Sequence, residues 1–136
     1  MTLVGRTALS DEKLVEFAPL EISPAIIRVL QKGMRAVTSG PLGTARRHDI
    51  KGDGMAGKTG TVQVKRITKE QREKGIVDNI DRPWKERDHA LFVGYAPFET
   101  PRYAISVVVE HGGSGSSMAA PIAKDIMSYV LKQDVA

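Results

Sequence analysis

The 136-residue sequence has no cysteine. That excludes a disulfide scaffold, a thiol nucleophile and a thiolate-ligated zinc site. Long apolar runs are also missing. None approaches the ~20 residues that span a bilayer, and Met1 to Lys13 lacks the apolar core of a signal peptide. Charge of one sign is scarce: 20 Lys and Arg against 16 Asp and Glu leave +4. The basic residues of Lys65 to Arg87 are interleaved with Glu70, Glu73, Asp78, Asp81, Glu86 and Asp88, so the balance is too diffuse to imply nucleic acid. There is no internal repeat and no low-complexity tract. What remains is 41% hydrophobic residues and 26% charged ones, enough apolar side chain for one globular domain and not for two.

The apolar residues fall into short periodic segments. Ile26, Ile27, Leu30, Met34 and Val37 recur at helical spacing behind Ser23-Pro24, a helix start, and Gly40-Pro41 stops the pattern. This predicts a helix over about 23–39. Residues 41–57 read as a loop. From Gly57 the β-branched Thr59, Thr61, Val62 and Val64 predict a strand over about 57–66. Residues 66–88 form a charged excursion, with a helical turn or two at Lys69 to Lys74. Ala90 to Ala96 is apolar on both parities, which predicts a strand covered on both faces. Arg102 to Glu110 is a second strand, with large Tyr103, Ile105, Val107 and Val109 at alternate positions, and the short connection makes the two an antiparallel hairpin. Ala119, Ala120, Ile122, Ala123, Ile126, Met127, Val130 and Leu131 predict a helix over about 118–132, with Pro121 in its first turn. The expected fold is α+β: an antiparallel sheet of at least three strands with the two helices packed on it.

One segment matches two motifs. Gly52 to Thr59 fits the phosphate-loop pattern G-x-x-x-x-G-K-[ST], and Glu110 ends a strand as an acidic partner would. That loop needs a buried strand before it and a helix after it. Arg46 to Lys51 is too polar for the strand, and Gly60, Thr61, Val62 and Val64 oppose the helix. The same Lys58-Thr59-Gly60, opening an edge-type strand, is the K-T-G signature of the serine penicillin-recognising enzymes.

The likeness extends beyond three residues. Ala56-Gly-Lys-Thr-Gly-Thr-Val-Gln-Val64, Asp88-His-Ala-Leu-Phe-Val-Gly-Tyr-Ala-Pro97 and Ala104-Ile-Ser-Val-Val-Val-Glu-His-Gly-Gly113 resemble class B penicillin-binding proteins. So do Gly33-Met34 and Gly43-Thr44-Ala45 before them, and Ala119-Ala-Pro-Ile-Ala123 after them. The similarity runs from about Glu21 to Leu131 and is nearest to the elongation-type D,D-transpeptidases. It implies an enzyme in which a serine attacks the penultimate D-Ala carbonyl of a peptidoglycan stem peptide. The acyl-enzyme passes to a neighbouring amine, and β-lactams acylate the same serine. It implies no cofactor, and a place at the periplasmic face of the bacterial inner membrane with an anchor outside these residues. Other cell-wall elongation proteins would be partners. By resemblance, Lys58 sets a cation beside the substrate carboxylate and the catalytic hydroxyls. Thr59 and Thr61 offer hydroxyls to that carboxylate. Gly60 lets a peptide lie against the strand, and the Thr61 N–H is an oxyanion-hole donor.

The sequence departs from the family where the chemistry starts. The motifs run S-x-x-K, S-x-N, K-T-G, and the first two belong well upstream of the third. Only 57 residues precede Lys58, and S-x-N is absent. The single S-x-x-K, Ser10 to Lys13, carries Asp11 and Glu12, poor residues for a buried helix, and Pro19 follows too soon. The expectation is the C-terminal part of a transpeptidase domain, inactive alone, with apolar surface left open for self-association. The alternative is a non-catalytic module that keeps the carboxylate-recognising strand.

Other residues carry less. His48, His89 and His111 are isolated in sequence, so each reads as packing beside a strand or turn rather than as a metal ligand. Gly112 to Ser117 is a strand-to-helix connection needing positive φ or, less simply, an anion cradle or a gate near the site. Trp84 beside Pro83 reads as an anchor for the charged excursion. That excursion is a solvated surface or, in a minority reading, a partner site.

Overall fold

Ser23-Pro24 opens the first helix, though not by the expected contact. In the computed structural model, which describes residues 21–133, α1 spans Pro24–Ser39. The Ser23 side chain caps nothing. Its backbone carbonyl instead accepts from the Ile26 and Ile27 N–H groups at 3.0 and 3.2 Å, while Pro24 fits a first turn that needs no donor. Among the described residues, only the last turns of α1 meet other elements. Thr38 is buried and Val37 packs against the core, whereas Ile26 and Leu30 are 54% and 57% exposed. The expectation that the whole apolar face of α1 is core is corrected: no described element covers its N-terminal half.

β1 spans Ala56–Val62, ending four residues before the expected 66. After it the chain enters the charged excursion. There a short helix, α2 (Lys69–Lys74), starts on a reciprocal cap. Thr68 Oγ1 accepts from the Gln71 N–H at 3.3 Å, and Gln71 Oε1 accepts from the Thr68 N–H at 2.9 Å. β2 (His89–Ala96) and β3 (Tyr103–Val109) form the expected hairpin. The three strands make one antiparallel sheet in the order β1-β2-β3, as the α+β reading requires. A π-helical turn at Gly115–Ala119 leads into α3, Ala120–Gln133, so the final helix begins two residues later than 118.

The core lies between α3 and one face of the sheet. Ala90, Phe92, Gly94 and Ala96 of β2 are buried, and opposite them Val109, Val107, Ile105 and Tyr103 are half-buried. α3 contributes Ala120, Ala123, Met127 and Leu131. Small residues on both sides let helix and sheet approach closely, and Phe92 fills what they leave. Its ring crosses the Gly57–Gly94 cross-strand pair; a Cβ on Gly94 would stand 2.8 Å from ring atom Cε1. Burying that side chain contributes about 2–3 kcal/mol. Ile122 and Ile126, expected on the buried stripe, are 39% and 37% exposed, because the contact face of α3 is narrow.

The opposite face of the sheet corrects a further expectation. β2 is not covered on both faces. Val93 is 45% exposed, as are Val62 at 46% and Val108 at 60% on its flanking strands. The cross-strand register puts all three on one face with Lys58 and Leu91. The doubly apolar pattern of β2 belongs to a strand with two covers, of which the described residues supply one.

Candidate functional site

The four residues Lys58, Thr59, Gly60 and Thr61 sit in the middle of β1, an edge strand that among the described residues pairs only with β2. Lys58 lies opposite Val93, Thr59 opposite Phe92, Gly60 opposite Leu91 and Thr61 opposite Ala90. Successive side chains alternate between faces, so Lys58 projects on the open face of the sheet and Thr59 and Thr61 on the other. Lys58 is exposed, and its Nζ donates to the Thr59 carbonyl at 2.7 Å. A carbonyl reached by that ammonium is on the strand's free side. Backbone groups of one parity share a side in an antiparallel strand, so the Thr61 N–H and C=O point the same way.

Two neighbours frame this edge. The Thr59 and Thr44 hydroxyls lie 2.9 Å apart. Thr44 belongs to the turn after α1, which is tied back by the Ala45 N–H to the Val37 carbonyl at 3.0 Å. Thr44 was not singled out as a site residue; its signal was the family-like Gly43-Thr44-Ala45. The second neighbour is Gly115, which lies directly against the Gly60 backbone.

The start of β1 is fixed by charge. Arg35 of α1 reaches Asp49 at 2.6 Å, the Met55 carbonyl at 3.1 Å and Thr38 Oγ1 at 3.2 Å. The Thr38 hydroxyl also donates to the Met55 carbonyl. Burial pushes the Asp49 carboxyl up, but the Arg35 hydrogen bond, the Met55 and Ile50 N–H groups and the Arg35 charge outweigh it and hold the group below its usual value. Nearby, burial raises the Tyr95 phenol, against the pull of Arg35.

The other singled-out residues fall as follows. Residues 52–59 run from a turn straight into β1, with no helix after them, so the phosphate-loop match has no helix N-terminus to offer an anion. Positive φ at His111 (56°) and Gly113 (84°) shapes the strand-to-helix connection. The Gly112 and Gly113 N–H groups are spent on the Val109 and Asp88 carbonyls, at 3.1 and 2.8 Å. The two histidines that are distant in sequence meet: the His111 N–H donates to His89 Nδ1 at 2.8 Å, with ring centroids 4.7 Å apart. His111 Nδ1 lies 3.0 Å from the Arg87 carbonyl, to which a protonated Nδ1 donates. Trp84 packs on the His111 ring at 4.3 Å and so ties the excursion to the body. Among the described residues no group of three His, Asp or Glu gathers to hold a metal, and no helix is long and apolar enough to cross a membrane. Ser10 and Lys13 lie outside the described residues.

Comparison with known proteins carries the same pattern. The model of the penicillin binding protein transpeptidase domain matches residues 7–128. The peptidoglycan D,D-transpeptidase MrdA of Haemophilus influenzae is 36% identical over 104 residues, 76% of this chain and 15% of that protein. MrdA of Acinetobacter baumannii is 43% identical over 79 residues, 57% of this chain and 11% of that protein. Among solved structures, Pseudomonas aeruginosa PBP2 in complex with WCK 5153 superposes with a TM-score of 0.57 at 38% identity, covering 77% of this chain and 19% of that one. Helicobacter pylori PBP2, in its complex with MreC, gives 0.65 at 26% identity, covering 82% and 18%. The chain spans less than a fifth of the length of each. A family match from residue 7 to residue 128, on a shared fold, means that this chain belongs to the penicillin-binding protein transpeptidase domain family.

Proposed function

We propose that the free edge of β1 is the peptide-binding wall of a peptidoglycan D,D-transpeptidase of the PBP2 type. The enzyme cross-links stem peptides through an acyl-serine. The observation that carries this is the placement of Lys58-Thr59-Gly60-Thr61 on a strand edge that no other described strand pairs with. A stem peptide ending in D-Ala-D-Ala adds to that edge as an extra strand. The Thr59 and Thr61 hydroxyls and the Lys58 ammonium receive its carboxylate, and the Thr61 N–H faces the oxygen on which negative charge develops. β-Lactams take the same place. Lys58 projects from the open face, toward the side on which a nucleophile and its base would be supplied by sequence not present here.

On this reading the chain supplies one wall of the site and neither transfers an acyl group nor binds penicillin covalently by itself. The complete enzyme works at the periplasmic face of the inner membrane, beside proteins such as the MreC that accompanies the Helicobacter relative. The test has two arms. Titration with an N-acylated D-Ala-D-Ala peptide is expected to shift the amide resonances of Lys58 to Thr61, and unmoved resonances would remove the binding role. Intact mass after incubation with excess benzylpenicillin is expected to stay unchanged. A stoichiometric adduct would show an activated serine in the chain, with Ser10 the first suspect.

A further inference from the structure

A cleft of about 890 Å³ opens between the 46–53 loop and α3, and no residue of β1 lines it. Its floor is apolar: Ile50 and Leu131 are 8% and 4% exposed. Cations stand on both walls. Arg47 and Lys51 lie on the loop, and Lys124 and Lys132 on the helix. None of the four has an ion-pair partner among the described residues. Of the two carboxylates that line the cleft, Asp49 is already held by Arg35, which leaves Asp53 alone against them. Unneutralised charge of one sign around a concave surface raises the local concentration of oppositely charged partners.

We propose that this cleft docks an acidic peptide segment of a partner protein. The geometry chooses the class of anion. Lys124 and Lys132 are eight residues apart, so they stand ~12 Å apart along α3. Cations spread over that length do not converge on one phosphate. They match a linear polyanion, and ~12 Å is about four residues of extended peptide. The Ile50–Leu131 floor adds a place for an apolar side chain between the carboxylates, which a phosphate polymer does not carry. Acidic side chains at each end of such a segment meet the two walls of cations, and an apolar side chain between them covers the floor. The site is independent of the peptide wall on β1, and its occupant brings the transpeptidase domain to a partner without touching the K-T-G strand.

The test is fluorescence anisotropy on the full chain, with a labelled decapeptide in which pairs of glutamates flank a leucine. Binding is expected, and it weakens roughly tenfold or more as salt rises from about 50 to about 300 mM. Lys124→Glu with Lys132→Glu is expected to weaken it by a similar factor. Arg47→Glu with Lys51→Glu does the same from the other wall, and carries the test if the helix variant fails to fold. Reversal at Lys69 and Lys74, on α2, is expected to change nothing. No binding, or binding indifferent to both pairs of reversals, overturns the proposal. Equal binding of polyphosphate, with the same dependence on these lysines, overturns it in favour of a phosphate polymer.

Discussion

Gly115, at the head of the turn that leads into α3, lies against the backbone of Gly60 in the K-T-G strand. A Cβ on Gly115 would stand 2.9 Å from the Gly60 nitrogen and closer still to the Gly60 and Leu91 carbonyl oxygens. Those are strand backbone atoms, which cannot give way without opening the β1–β2 ladder. The Gly/Ser-rich connection therefore seats the K-T-G strand. Gly115→Ala is expected to cost about 2–3 kcal/mol in urea unfolding and to move the Lys58–Thr61 amide resonances. A variant with wild-type stability would show that the turn does not bear on the strand.

The Arg35–Asp49 pair gives a pH dependence with a definite sign. The folded Asp49 pKa lies below the unfolded one. Its stabilisation is complete above the unfolded pKa and is lost as the pH falls through the folded one. The urea midpoint is therefore expected to drop on acidification below about pH 4. Asp49→Asn should cost about 1–2 kcal/mol at neutral pH and flatten that part of the acid limb. An unchanged acid limb in the variant would show that Asp49 does not set it.

Tyr95 carries a buried hydroxyl with no hydrogen-bond partner among the described residues, and its ring stacks near Phe98 with centroids 6.3 Å apart. Removing the hydroxyl keeps the ring contact and ends the desolvation cost. Tyr95→Phe is expected to be neutral or to raise stability by about 0.5–1 kcal/mol in thermal unfolding. A loss of more than that would reveal a partner for the hydroxyl.

Val62, Val93 and Val108 form an apolar strip on the open face of the sheet. The chain is expected to self-associate through this strip, with sedimentation that depends on concentration. Val93→Thr with Val108→Thr should shift the population toward monomer. A wild-type chain that stays monomeric at the highest attainable concentration removes the idea.

By itself the sequence determined the local elements and the family signature. Helical spacing from Ile26 to Val37, the β-branched run after Gly57, and the alternation of Tyr103, Ile105, Val107 and Val109 are properties of neighbouring residues, and each became the expected kind of element. The family signature of K-T-G was legible because its three residues are adjacent. The tertiary structure alone decided which faces were used. It set Gly115 against Gly60, 55 positions away, joined His89 to His111, and brought the Thr44 hydroxyl to Thr59. It also left Ile26, Leu30 and Val93 in the open, although their spacing matches that of buried residues. Periodicity states which side of an element is apolar. Whether another element covers that side depends on contacts between distant segments, and no local pattern records them.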